Sequence, residues 1–267
     1  MSNVVVHTLG YNIPELIEEA TVSLYELNPE RNYKHVIADL GYPLGQTREA
    51  WEMVPQHMGI NKRKNAVEIV DIGTLHMSDF VRIPNKGVSG NWTQIAKMYD
   101  IGRGDVLIGA DPDERPMDKG WVDAMAKVMQ GDSSIAIVSL VLPEQLALEG
   151  FFEKYFWGER MVNGIRVWEG RYLCQWALIG ISGSFIHACG GVPYPEVAPI
   201  YGHIEGACDT MMKNLGMKWV VLPDYRVQHI ASSPLAQEWK NWVASEGMDV
   251  GQISFEQWLR ETKGAKG

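Results

Sequence analysis

Cysteine is scarce in this chain: three in 267 residues, at Cys174, Cys189 and Cys208. An odd number spaced this widely fits neither a closed disulfide framework nor a zinc knuckle, and it points to a reducing compartment. Positive charge is also short. The 24 Lys and Arg stand against 33 Asp and Glu, a net charge of −9, so the chain has no general attraction for nucleic acid phosphates. The densest basic run, Lys62-Arg63-Lys64, reads as a solvated loop. No stretch reaches the ~20 apolar residues that a membrane-spanning helix needs. The first seven residues, Met-Ser-Asn-Val-Val-Val-His, have neither a basic leader nor a long apolar core. These absences predict a soluble, cytoplasmic protein with no stable membrane anchor.

What is present is a well-packed globular composition, 46% hydrophobic and 10% aromatic. Residues 4–8 form a β-branched run that reads as a first strand. A turn follows, and Asn12 can cap a helix with Pro14 in its first turn and Leu16, Ile17, Ala20, Leu24 and Leu27 at helical spacing. Further strands are predicted over 36–39, 67–72, 80–83, 106–110 and 135–142, and helices over 92–101, 121–129 and 143–156. A hairpin is predicted around Asn163-Gly164. Gly190-Gly191-Val192-Pro193 reads as a tight turn, 210–215 as a short helix ended by Gly216, and 219–222 as a strand closed by Pro223. Alternating strands and helices imply a mostly parallel sheet with helices on both faces. The expected organisation is one α/β domain over 1–233 and a C-terminal helical extension over 234–267 packed on it.

The most informative segment is Asp105-Val106-Leu107-Ile108-Gly109-Ala110-Asp111-Pro112-Asp113-Glu114-Arg115-Pro116. A buried strand empties into two aspartates one residue apart, and Pro116 is expected to block further pairing. Carboxylates at the carboxyl end of a central strand lie where open α/β sheets bind ligands. Side by side they repel, a cost that a cation relieves, and oxygen ligands suit Mg²⁺ or Mn²⁺.

The order of these parts resembles the GT-A glycosyltransferases, in particular their large family-2-like group, from residue 4 to about His229. Bacteriophage enzymes of this architecture are included in the resemblance. It implies a GT-A-like mixed sheet and transfer of a sugar from a nucleoside-diphosphate sugar, UDP-sugar first among them, to an acceptor hydroxyl. The first strand and turn (Thr8, Gly10, Asn12), the end of the second strand (Asp39), and the segment carrying Asn85, Gly87 and Asn91 would contact the nucleotide. Asp111 and Asp113 match the metal-binding Asp-x-Asp motif, with Asp111 also able to reach the ribose, and His229 would complete a Mn²⁺ or Mg²⁺ site. The segment around Glu205 and Asp209 matches the helix start that carries the general base; Glu205 is the closer counterpart and Asp209 its rival. Relatives of this architecture use glycan, lipid-linked, protein and hydroxymethylated DNA-base acceptors. In a phage setting the compartment would be the host cytoplasm.

Two other classes remain open. A sugar-nucleotide nucleotidyltransferase needs an early glycine-rich phosphate loop with a following basic residue, which Gly10-Tyr11-Asn12 does not supply. A catalytically silent nucleotide-sugar-binding module needs neither Asp113 nor a base. Trp168, Tyr172 and Trp176 can stack on a sugar or base, although core packing is the commoner fate of such rings.

Overall fold

The structure, a computed structural model, describes residues 3–10, 14–40, 78–173, 178–193, 204–229, 241–243 and 245–246. The expected strand over 67–72, the cap Asn12, Lys62–Lys64, Trp176 and nearly all of the C-terminal extension lie outside them. Within the extension, Val243 is buried.

The chain opens with β1 (Val4–Gly10), α1 (Pro14–Leu27), β2 (Lys34–Asp39) and β3 (Ser78–Arg82). It continues through α2 (Gly87–Met98), β4 (Val106–Gly109), β5 (Glu114–Pro116), α3 (Trp121–Gly131) and β6 (Ile135–Val141). Two short helices follow, α4 (Pro143–Leu146) and α5 (Phe151–Tyr155), then the hairpin β7 (Phe156–Val162) and β8 (Ile165–Gly170). The last described elements are β9 (Ile179–Ser182), α6 (Gly183–Cys189), α7 (Ile204–Leu215) and β10 (Lys218–His229).

The strands form one sheet in the order β3-β2-β1-β4-β9-β6-β10-β8-β7, with β5 paired to β10. Strands β1 to β4 are mutually parallel. Strand β9 is antiparallel to both β4 and β6, and β10 is parallel to β6, so β4, β6 and β10 point the same way. The carboxyl ends of β1, β2, β3, β4 and β6 therefore share one edge of the sheet, where open α/β folds build their clefts.

Side-chain alternation divides the core between the two faces. Val5, Leu107 and Val221 pack with Trp92 and Ile95 of α2 and with Cys208 and Met212 of α7. Val4, Val6, Val106, Ile108, Val220 and Leu222 pack with Leu24 of α1 and with Trp121 and Met125 of α3. Both faces are thus covered by helices, as the alternating pattern predicts.

Several expected boundaries shift. The helix predicted over 92–101 starts earlier, at Gly87, because the first turn is built by polar side chains rather than apolar periodicity. The single helix predicted over 143–156 is broken into α4 and α5, with Gly150 left-handed at φ 72°, and Phe156 already belongs to a strand. The helix predicted over 210–215 runs from Ile204. Pro223 does not close the last strand. Pairing with β6 jumps from Leu222↔Leu140 to Arg226↔Val141, so the intervening residues bulge, absorb the proline and let β10 continue to His229. Nor does Pro116 block pairing: it faces Val227 in β5, and Met117 N–H still donates to Arg226 O at 2.9 Å. A proline is tolerated in so short a peripheral strand. The hairpin is as predicted, with Asn163 and Gly164 at φ 47° and 78°, the signs that a two-residue turn of this hand requires.

Two buried histidines underlie the first strands. His35 is hydrogen-bonded to Thr8 Oγ1 at 3.2 Å and to Ser78 Oγ at 2.9 Å. His7 meets Trp92 edge-on at 4.4 Å, and neither of its ring nitrogens has a hydrogen-bond partner among the described residues. Burial pushes both imidazoles down to about 3, with His35 adding repulsion at His7. Both rings are therefore neutral in the fold. Their contribution is complete above the unfolded-state pKa of about 6.5 and is lost as pH falls toward 3. His7→Leu removes two unsatisfied nitrogens, so its thermal midpoint at pH 7 should equal or exceed that of the wild type, and its loss of midpoint between pH 7 and pH 5 should be smaller. Scanning fluorimetry at the two pH values checks this; a lower midpoint at pH 7 with an unchanged acid loss would contradict it.

Candidate active site

The site begins where β4 ends. Gly109 is required there because a Cβ would lie 2.0 Å from the Trp92 ring. Ala110 N–H donates to His7 O at 2.9 Å, tying the chain to β1 as it leaves the sheet. Residues 111–114 then close a turn, with Glu114 N–H donating to Asp111 O at 3.0 Å. Arg115 braces this turn by donating to the carbonyls of Pro112 and Glu114.

From the turn, β5 runs antiparallel to the end of β10 in the register Val227↔Pro116, Gln228↔Arg115 and His229↔Glu114. That register carries His229 to the turn, where its Nε2 lies 3.1 Å from Asp113 Oδ2. Their side chains are 29% and 27% exposed, so a ligand can reach both.

Beneath this pair lies Glu114, only 2% exposed. Its Oε2 accepts from Asp111 N–H at 3.0 Å and its Oε1 from Leu178 N–H at 2.7 Å. Leu178 is itself left-handed at φ 44° and buried, a conformation costing a γ-branched residue roughly 1–2 kcal/mol. Burial, with the Asp113 charge beside it, pushes the Asp111 carboxyl up to about 7, while His229 pulls it down. Burial and the charges of Asp111 and Asp113 push Glu114 well above the ordinary range, against the pull of its two amide donors. A cleft that holds carboxylates at this cost is suited to a positive guest.

The carboxylate oxygen of Asp113 and the imidazole nitrogen of His229, 3.1 Å apart, are donor types that suit Mn²⁺ as well as Mg²⁺. Among the described residues no three acidic, His or Cys side chains converge on one point. The chain would thus supply part of the shell and leave the rest to phosphate oxygens and water.

The other expected residues divide. Gly10 pairs with Asp39 in register at the cleft edge of the sheet; the Asp39 side chain and Asn12 lie outside the described positions. Thr8 is 1% exposed, and its hydroxyl is turned inward to His35, so the residue sits in the sheet and not on the cleft surface. Asn85 Oδ1 accepts from Gly87 N–H at 3.1 Å and from Asn91 Nδ2 at 3.2 Å, and Asn91 Oδ1 accepts from Lys86 N–H at 2.8 Å. These amides shape the first turn of α2, and among the described residues one buried donor, Asn85 Nδ2, has no hydrogen-bond partner.

Helix α7 leads back into β10, so its first turn lies toward the edge where β4 and β6 end. Glu205 sits in that turn, half-buried. Asp209, one turn further from the edge, accepts from Leu173 N–H at 3.1 Å and from Lys213 Nζ. Asp209 is thus committed to holding the backbone. Trp168 is packed against Phe152 and Phe156 and donates to Glu159, a packing role. The residue that pattern reading missed is Glu114. Three acidic residues in the four positions 111–114 were the available signal.

No family model and no curated protein matches the chain. Solved structures do match it. GalNAc-T7 with UDP, GalNAc and Mn²⁺ aligns over 98% of this chain and 56% of its own, with 13% identity and a TM-score of 0.57. This chain therefore spans just over half the length of that protein. UDP-glucose pyrophosphorylase complexed with UDP-glucose aligns over 92% of this chain and 100% of its own, with 12% identity and a TM-score of 0.52. Glucosyl-3-phosphoglycerate synthase from Mycobacterium tuberculosis, with Mg²⁺ and UDP, aligns over 93% and 80%, with 13% identity and a TM-score of 0.50. At these identities what is shared is the architecture: the chain has the GT-A-like fold.

Exchanging the two candidate bases tests their division of labour. Glu205→Gln should lower turnover by about 10²–10⁴-fold at an unchanged thermal midpoint. Asp209→Ala should lose about 1 kcal/mol of stability with activity within a few-fold of the wild type. Steady-state kinetics beside thermal melts would reveal the reverse assignment directly.

Proposed function

We propose that this protein is a metal-dependent glycosyltransferase that moves a sugar from a nucleoside-diphosphate sugar, UDP-sugar first among them, to an acceptor hydroxyl. The observation that carries this reading is the 3.1 Å approach of His229 Nε2 to Asp113 Oδ2 at the mouth of β4. The structural neighbours include a UDP-, GalNAc- and Mn²⁺-bound GalNAc-T7, which supports extending the fold's donor chemistry to this cleft.

Asp113 and His229 would hold the ion, with Asp111 beside it or on the ribose. When bound, a divalent cation supplies charge neutralisation for the departing diphosphate. Asn85, with its spare amide donor, and the N-terminal turn of α2 border the same edge and suit the nucleotide. Glu205 takes the proton from the attacking hydroxyl. Direct in-line displacement with Glu205 as the base would invert the anomeric carbon, and without a carboxylate on that face a retaining course would follow. The net charge of −9 weighs toward a glycan acceptor rather than a hydroxymethylated base in polyanionic DNA. No helix among the described residues is long and apolar enough to cross a membrane.

Thermal shift with UDP and Mn²⁺ tests the donor site. UDP with Mn²⁺ should raise the midpoint by several degrees, and UDP with chelator much less, since a ligand that binds only the folded state stabilises by mass action. Asp113→Ala and His229→Ala should each abolish the metal-dependent part while keeping the midpoint without ligand. An identical shift with and without metal in all three proteins would defeat the metal assignment.

A further inference from the structure

We infer that Glu114 is a positioning residue that locks the 111–113 turn to Leu178 at the entrance of β9, so that the metal ligands hold one arrangement. The inference rests on the proposed reading of Asp113 and His229 as metal ligands.

The bridge spans 64 residues of sequence. One carboxylate oxygen takes Asp111 N–H at 3.0 Å and the other takes Leu178 N–H at 2.7 Å. Neither oxygen is left over for a ligand, and the side chain is almost wholly enclosed. Glu114 thus does not touch the substrate. What it holds is informative. Asp111 N–H belongs to the turn that presents Asp113. Leu178 is buried in a left-handed backbone conformation that a leucine does not adopt unaided. Strain of this kind persists only where surroundings enforce it, and the carboxylate is the group bonded to that very amide. Strand β9 then pairs with β4 as Ile179↔Gly109, so the two ends of the bridge also flank the last residue of the metal-bearing strand.

Such a bridge requires both carboxylate oxygens. A glutamine supplies one acceptor and turns an amide donor toward a second N–H. An aspartate is one methylene too short to reach both amides.

The test has two readouts. The first is amide hydrogen exchange without metal. Asp111 and Leu178 amides should be protected in the wild-type protein, and at least one should exchange faster in Glu114→Gln. The second is Mn²⁺ affinity in the presence of UDP, read from the paramagnetic resonance signal of free Mn²⁺. It should weaken by about 10–100-fold in Glu114→Gln, the range for groups that orient metal ligands without touching the ion, while the thermal midpoint still reports a folded protein. If Glu114→Gln does not fold, Glu114→Asp is read the same way. Unprotected amides in the wild type, or a variant that binds Mn²⁺ and UDP as tightly as the wild type, overturn the inference. A wild type with protected amides and no Mn²⁺ affinity refutes the metal reading instead, leaves the bridge as structural, and removes its positioning role.

Discussion

The candidate site depends on the pairing of β5 with the last residues of β10. Strand β10 starts between β6 and β8, bulges after Leu222 and then takes β5 as a further partner. Only this change of partner brings His229 to a turn that lies 116 positions earlier in the chain. Side chains alternate along a strand, so a slip of one residue would turn His229 to the opposite face and leave Asp113 alone. The sheet thereby specifies the contact more strictly than either side chain does.

Three acidic groups packed into four positions would be a poor way to stabilise a fold. Asp111 is held up to about 7 and Glu114 well above its ordinary range. The chain offsets part of the cost with two backbone amides on Glu114 and an imidazole beside Asp113. Local violations of good packing chemistry concentrate where function needs them. Asp209, by contrast, is half-buried and accepts from Leu173 N–H and Lys213, a setting in which its charge is paired by a cation of the chain itself.

Much of this fold was legible in the sequence because the signals are local. The apolar run Val106-Leu107-Ile108, the Asn163-Gly164 turn and the spacing in α1 each reflect neighbours in the chain. The Asp111–Asp113 pair was legible for the same reason. Features made by distant pairing were not. The three residues of β5 carry no periodicity, and their strand character comes entirely from β10. The continuation of β10 through Pro223 depends on a bulge that only the partner strand reveals. The role of Glu114 requires Leu178 in place beside it, and the inward turn of Thr8 requires His35. Asp209 and Glu205 are rivals on spacing alone, and the tie of Asp209 to Leu173 N–H is a long-range contact that spacing does not carry.

The fold by itself does not choose between spending a sugar nucleotide and making one, since UDP-glucose pyrophosphorylase aligns with this chain about as well as GalNAc-T7 does. The choice falls to charge. Making a nucleotide sugar requires a nucleoside triphosphate to be cradled near the first strand, and its negative phosphates need basic or amide-rich surroundings there. After β1 the first Lys or Arg in this chain is Arg31, and the intervening helix carries Glu15, Glu18, Glu19 and Glu26. A diphosphate bridged by a cation asks less of the first strand and more of the edge beyond β4, where Asp113 and His229 meet. The absence of Lys and Arg from residues 11–30 of the sequence is thus the ground on which the proposed reading prefers transfer of the sugar to synthesis of its donor.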